Sequence, residues 1–219
     1  MTQPSPATAL QIDIASDVVC PWCIIGFLQL RRALSDSGRS VRLRWHPFEL
    51  NPEMPPEGQN LREHVFEKYG ASPEDSRKSR ETLVALGQEL GFPFRFSDDS
   101  RIVNTFAAHQ LLDWAEGEGR QHDLKMALFQ AYFSNGEDVS DPAVLERAAI
   151  AAGLDGPAAR RALDSGAHAG AVRAKQRIWA ERDVHSVPTM VFGQKYMVSG
   201  AHGVDGFATL LTRLADEGL

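Results

Sequence analysis

The sequence predicts an α/β protein in which a βαβ half and a ββα half share one mixed sheet, with a large all-helical block inserted between them. Three observations predict it. Strand character is confined to the two ends of the chain, a series of helix start and stop signals fills the middle, and neither strand-bearing end can bury its apolar faces alone. The boundaries fall at 9–57 plus 170–219 for the sheet-bearing domain and 58–169 for the helical insertion.

Gln11-Ile12-Asp13-Ile14-Ala15-Ser16 reads as a short strand that runs into Cys20-Pro21-Trp22-Cys23. Pro21 suits a first helical position, where its missing N–H is not needed. Ile24, Phe27, Leu28, Leu30, Ala33 and Leu34 supply a buried stripe, and Gly38 stops the helix. Val41-Arg42-Leu43-Arg44-Trp45-His46 alternates with period two and completes a parallel βαβ unit. The prolines between Pro47 and Pro56 then forbid a regular element. From about Asn60 to Asp183 helix follows helix, with starts at Ser72-Pro73, Asn104-Thr105, Asp141-Pro142 and Asp155-Gly156-Pro157 and stops at Gly91, Gly117, Gly136 and Gly153. Pro188-Thr189-Met190-Val191-Phe192 and Lys195-Tyr196-Met197-Val198 form strands about a two-residue Gly193-Gln194 turn, and a helix from about Val204 to Ala215 closes the chain.

At 219 residues the chain can bury an ordinary core without disulfides, so stability does not explain its two cysteines. The net charge of -6, with no dense Lys/Arg run, argues against nucleic acid and against an anionic membrane surface. Met1–Thr8 lacks a charged and then apolar signal pattern and reads as a short flexible leader of a cytoplasmic protein with no membrane segment.

In a reducing compartment a lone Cys pair points to redox or metal chemistry. Zinc needs about four ligands, and no second ligand pair at metal spacing exists among His46, His64, His109, His122, His168, His185 and His202. A permanent Cys20–Cys23 crosslink would close too short a loop to gain much. What remains is a strand-to-helix turn with Cys20 at a helix N-terminus, where an anion is favoured; Cys20 is therefore expected to be the reactive thiolate and Cys23 the buried resolving thiol. Bringing a thiol from about 8.5 to between about 4 and 7 takes roughly 2–6 kcal/mol, against about 0.3–2 from a helix dipole. The remainder is expected from the Trp22 and Cys23 N–H groups and the Cys23 thiol.

Cys20-Pro21-Trp22-Cys23 after a strand, a helical insertion, and Ser186-Val187-Pro188-Thr189 opening a hairpin together resemble the DsbA-like branch of the thioredoxin superfamily, specifically the FrnE-like proteins. Trp45–Pro52, Asn104–His109, Ala131–Gly136 and Val198–Ala201 extend the likeness from about Gln11 onward. The resemblance implies a thioredoxin-like fold and a cis Val187-Pro188 bond facing the cysteines, with the Val187 backbone docking an extended peptide or glutathione beside Pro21 and Trp22. It also suggests γ-glutamyl contacts from Ser199, Gly200 and Ala201, and an Asn104 that faces the cleft; a strand-to-helix loop and a helix cap account for the same residues. The superfamily includes kappa-class glutathione transferases and 2-hydroxychromene-2-carboxylate isomerases, which carry serine at the position of Cys20. Two departures stand out: Ser186 where glycine is expected, and Trp22 where DsbA itself has histidine, so a strongly oxidising character is not implied.

Asp13 or Asp17 could relay the Cys23 proton, and His185 could pair with a thiolate or a glutathione carboxylate; a capping aspartate and a surface histidine are the plainer readings. The sequence thus points to a cytoplasmic thiol–disulfide oxidoreductase, an enzyme for disulfide exchange or isomerisation acting on protein or small-molecule thiols and disulfides. It would be a monomer or homodimer, with no metal or required cofactor and with glutathione as a co-substrate the fold could accept. A glutathione-dependent isomerase or transferase on a small aromatic or polyketide-like substrate is the alternative, and a non-enzymatic redox sensor the third reading.

Overall fold

A computed structural model describes residues 9–219, so the leader reading at Met1–Thr8 lies outside the described residues. Strand β1 (Leu10–Ser16) is central: it pairs in parallel with β2 (Val41–Pro47), from Leu10 opposite Val41 to Ser16 opposite Pro47. On its other side β1 pairs antiparallel with β5 (Thr189–Phe192), which carries β6 (Tyr196–Ser199), giving the order β2-β1-β5-β6. The sheet is mixed and the fold is the α/β, thioredoxin-like one expected from the sequence.

Helix α1 (Pro21–Ser37) starts on Pro21 and stops at Gly38, whose φ of 63° is left-handed. Its buried surface exceeds the expected stripe, because every residue from Cys23 to Leu30 is buried. The reason is its position: α1 lies against the Ile12 and Ile14 face of the sheet, and the closing helix α9 (Gly203–Asp216) covers its other side through Phe207, Leu211 and Leu214. The opposite sheet face, at Ala15 and Val191, receives Trp179 of α8 (Ala169–Glu181).

Between β2 and α8 the chain forms α2 (Leu61–Tyr69), α3 (Pro73–Glu89), α4 (Phe106–Gly117), α5 (Gln121–Phe129), a π-helical turn at Gln130–Ser134, α6 (Pro142–Ala151) and α7 (Gly156–Ser165). Ser72, Asp141 and Asp155 cap their helices by accepting backbone N–H bonds, each followed within two residues by proline. The helical core gathers Leu111, Leu112, Leu124, Leu128 and Leu145, and it includes Val18 and Val19 from the turn before Cys20. The cysteine turn therefore sits at the seam between the two cores.

The insertion departs from an unbroken run of helices. Gln59–Asn60 (β3) pairs antiparallel with Arg101–Ile102 (β4), strands too short to show alternation in sequence. Phe92, Phe94 and Phe96 lie in an irregular stretch after α3; Phe96 stacks on Phe94, and Phe92 and Phe133 meet Phe94 edge-on. Helix α4 runs through Gly117, and the left-handed residue is Gly119 at φ 69°. The hairpin loop is also longer than two residues: Gly193 and Gln194 both have positive φ, but Phe192 pairs with Tyr196, so Lys195 joins the loop. Among the described residues no helix is long and apolar enough to cross a membrane.

Candidate active site

Cys20 occupies the N-cap of α1 and Cys23 its first turn; both are free thiols, 4% and 0% exposed. The Val187-Pro188 peptide bond is cis, and the Cys20 thiol donates to the Val187 carbonyl at 3.6 Å. Pro188 is buried against α1 where Gly26 leaves room: a Cβ there would stand 3.3 Å from Pro188 Cγ and 3.5 Å from Ala201 Cα. Cys20, Cys23 and Gly26 thus follow one helix face at spacing three, two sulfurs and then a gap for the proline. Pro21 is half-buried and Trp22 is 40% exposed, so the indole flanks the sulfurs from outside.

Behind Pro188, the Gly200 N–H donates to the Pro188 carbonyl at 2.7 Å, Ser199 Oγ meets Thr189 Oγ1 at 3.0 Å, and His202 Nε2 bonds the Ser199 carbonyl at 2.8 Å. Ser199 and Gly200 therefore buttress the proline. Asn104 and His185 are not brought to the sulfurs. The Asn104 amide donates to the Met54 carbonyl and its oxygen accepts the Phe106 N–H just before α4. His185 is an exposed side chain paired with Asp183 at 2.8 Å.

The two aspartates part company. Asp13 points to the far face of the sheet, bonded to His46 at 2.8 Å and to Gln11, with His46 packed on Trp179. Asp17 is fully buried beside the cysteine turn: it accepts the Leu50 N–H at 2.8 Å, and His109 Nε2, which also bonds the Phe48 carbonyl, lies 3.3 Å away. Burial pushes its carboxyl up, but His109 and the Leu50 N–H outweigh this and hold it below the usual range.

Sequence reasoning missed Lys125. It is 1% exposed on α5, with Nζ 3.3 Å from the Ser16 carbonyl, 4.9 Å from the Phe129 ring centre and 5.5 Å from that of Trp45. Burial depresses its ammonium to about 8 against the opposing pull of Cys23, Asp17 and Cys20. The signal was a lysine inside the apolar run Leu124, Leu128, Phe129.

These charges bear unequally on the two sulfurs. The Cys20 thiol is pushed well up, first by its hydrogen bond to Cys23, then by burial and the Cys23 charge, and Asp17 adds to this. Burial also works against charge on Cys23, yet the Cys20 hydrogen bond, the Lys125 ammonium and the Ser16 hydroxyl bring it below the ordinary thiol range. The Cys23 N–H does favour charge on Cys20, but that donor also closes the turn onto the Cys20 carbonyl at 3.1 Å. Around this pair Asp17 weighs against charge on Cys20, and Lys125 weighs in favour of charge on Cys23.

The chain matches the model of the DSBA-like thioredoxin domain over residues 11–212. A crystal structure of a probable DsbA oxidoreductase from Streptomyces coelicolor is 31% identical, with TM-score 0.88 over 95% of this chain and 91% of that one. The Bacillus subtilis (strain 168) protein YwbO is 27% identical, over 90% of this chain and 94% of its own. The cytosolic disulfide reductase DsbM of Pseudomonas aeruginosa, solved with GSH, shares the fold at 18% identity and TM-score 0.63, over 94% of this chain and 99% of that one.

Proposed function

The chain belongs to the DSBA-like thioredoxin domain family, and from that premise we propose that it is a cytoplasmic thiol–disulfide oxidoreductase working through Cys20 and Cys23. The observation that carries the reading is the Cys20 sulfur facing the Val187 carbonyl at 3.6 Å beside the Pro188 ring. An extended backbone laid along Val187 would bring its own sulfur to Cys20.

When a substrate disulfide arrives, Cys20 attacks as the thiolate. A Cys20–substrate bond forms, the substrate S–S bond breaks, and one substrate sulfur leaves and takes up the Cys20 proton. Cys23 then gives up its proton and attacks Cys20; the intramolecular disulfide forms and the second substrate sulfur departs with that proton. Two thiols of the protein are oxidised as one substrate disulfide is reduced. Glutathione, as co-substrate, reverses the cycle by the same exchange. The chemistry calls on no metal or organic cofactor.

The test equilibrates the protein in glutathione redox buffers and follows thiol counts with Trp22 fluorescence, with Cys20→Ala as control. A two-electron transition absent from the control is expected, and Cys23→Ser should accumulate a mixed disulfide. A potential near -120 mV would mark an oxidant and one near -270 mV a reductant. Thiols that never oxidise, or a Cys23→Ser variant that turns over an aromatic substrate with glutathione, would overturn the reading in favour of the isomerase.

A further inference from the structure

A cavity of about 210 Å³ opens in the helical insertion, between the irregular stretch after α3, strand β4 and the π-helical turn. None of the residues lining it is Cys20, Cys23, Val187 or Pro188, so the exchange chemistry leaves it unused. It is smaller than the roughly 300–1,000 Å³ of sites that take drug-sized molecules, which suits a ligand the size of a single amino acid.

The walls are fixed by backbone hydrogen bonds. The Arg95 N–H donates to the Phe133 carbonyl at 2.8 Å, tying the irregular stretch to the π-helical turn. The turn from Ser97 to Ser100 is closed twice: the Ser100 N–H donates to the Ser97 carbonyl at 3.3 Å, and the Ser97 N–H to the Ser100 hydroxyl at 2.9 Å. The Leu61 N–H of α2 reaches the Ser100 carbonyl at 2.8 Å. The floor is apolar, with Val103 and Phe133 2% and 3% exposed and Phe96 and Leu61 half-buried beside them. Tyr132 adds its ring, because its hydroxyl is spent on the Arg101 carbonyl at 2.6 Å. π-Helical turns recur at functional sites, and this one supplies Tyr132 and Phe133 to the cavity.

Most of the charged rim is committed. Glu137 is paired with Arg147 at 2.8 Å, Asp138 accepts from the Ser140 N–H and hydroxyl, and Arg101 donates to the Glu57 carbonyl. Two charged lining side chains have neither an ion pair nor a hydrogen bond among the described residues: Arg95 and Asp99, four positions apart and not in contact with each other. One cation and one anion over an apolar floor match a ligand that carries both signs. A carboxylate alone would be repelled by Asp99, and an amine alone by Arg95.

We propose that this cavity binds a free α-amino acid with an apolar side chain, its carboxylate on Arg95, its ammonium on Asp99 and its side chain on the Phe96 and Phe133 rings. The site is separate from the redox pair and does not depend on it.

Isothermal titration calorimetry of the full chain with L-phenylalanine and L-leucine tests this. Saturable binding at one site is expected. 3-Phenylpropionate and phenethylamine, each with one charge of the pair, should bind at least about 10-fold more weakly than phenylalanine, since each leaves a charged group without its partner. Arg95→Gln and Asp99→Asn should each weaken phenylalanine by about 10-fold or more, with Arg95→Lys recovering part of the loss. Both positions are exposed, so the melting temperature without ligand should stay at the wild-type value. Cys20→Ala should bind phenylalanine as the wild type does. The proposal is overturned if neither amino acid saturates by about 10 mM, if phenylpropionate or phenethylamine binds as tightly as phenylalanine, if Arg95→Gln and Asp99→Asn leave binding unchanged, or if Cys20→Ala abolishes it.

Discussion

Gly26→Ala is the substitution whose outcome is decided by competing terms of known size. Alanine in place of glycine inside a helix contributes about 0.5–1 kcal/mol, and one more buried methyl about 0.8. Against this, the new Cβ would stand 3.3 Å from Pro188 Cγ, closer than packed carbons normally approach, and in ordinary contact at 3.5 Å with Ala201 Cα and Cβ. Overpacking of this kind costs about 1–3 kcal/mol. The terms nearly cancel, so the urea midpoint should correspond to a change within about 1 kcal/mol of zero. The exchange rate should not be spared. Relief comes by moving the Pro188 ring a few tenths of an ångström, and with it the Val187 carbonyl that meets Cys20. Since a full ångström of misplacement can cost about 100-fold, a severalfold loss in glutathione exchange is expected. Gly26→Val sends two further carbons toward the Ala201 backbone and should destabilise by more than about 2 kcal/mol. If Gly26→Ala instead stabilised by the full helix contribution and exchanged at the wild-type rate, the close packing of Pro188 on α1 would not constrain the site, and this reasoning would be wrong.

Two further substitutions test the scaffold around the pair. Asp17 has its carboxyl held below 3.8 in the folded state, so its contribution is complete above the unfolded value and is lost as pH falls through the folded one; Asp17→Asn should flatten the acid limb of a stability–pH curve below about pH 4 and cost about 1.5–3 kcal/mol at neutral pH. A curve that keeps the wild-type acid limb would show that this carboxylate does not set it. Asp155→Ala removes the oxygen that accepts the Ala158 N–H at 2.7 Å and should lower stability by about 1 kcal/mol in chemical denaturation, leaving the glutathione redox transition in place. An unchanged denaturation midpoint would mean that α7 needs no cap.

What could be read from the sequence divides by the range of the forces involved. The caps at Ser72, Asp141 and Asp155 and the proline after each are local, so helix starts were legible from a few residues. The Cys20–Cys23 turn at the head of α1 was legible for the same reason. The β3–β4 pair was not, because its strands lie some forty residues apart and neither has a pattern of its own. Asn104 shows how one residue type serves two readings: an amide that could face a cleft spends both its groups on Met54 and Phe106. Lys125 escaped the sequence reading because helix position is visible in sequence, whereas the folding of Lys125 against Ser16, more than a hundred residues away, is not.

The helix N-terminus supplies only about 0.3–2 kcal/mol, less than the roughly 2–6 kcal/mol that brings a thiol into the reactive range. Two buried charges of opposite sign act beside it: Asp17 disfavours charge on Cys20 and Lys125 favours it on Cys23. Both are set in place by the helical insertion, Lys125 directly from α5 and Asp17 through His109 of α4. The thioredoxin-like half thus presents the sulfurs and the Pro188 face, while the insertion supplies buried charge beside them. Substitutions on α4 and α5 can then alter the balance between attack and resolution without changing a residue from Cys20 to Cys23.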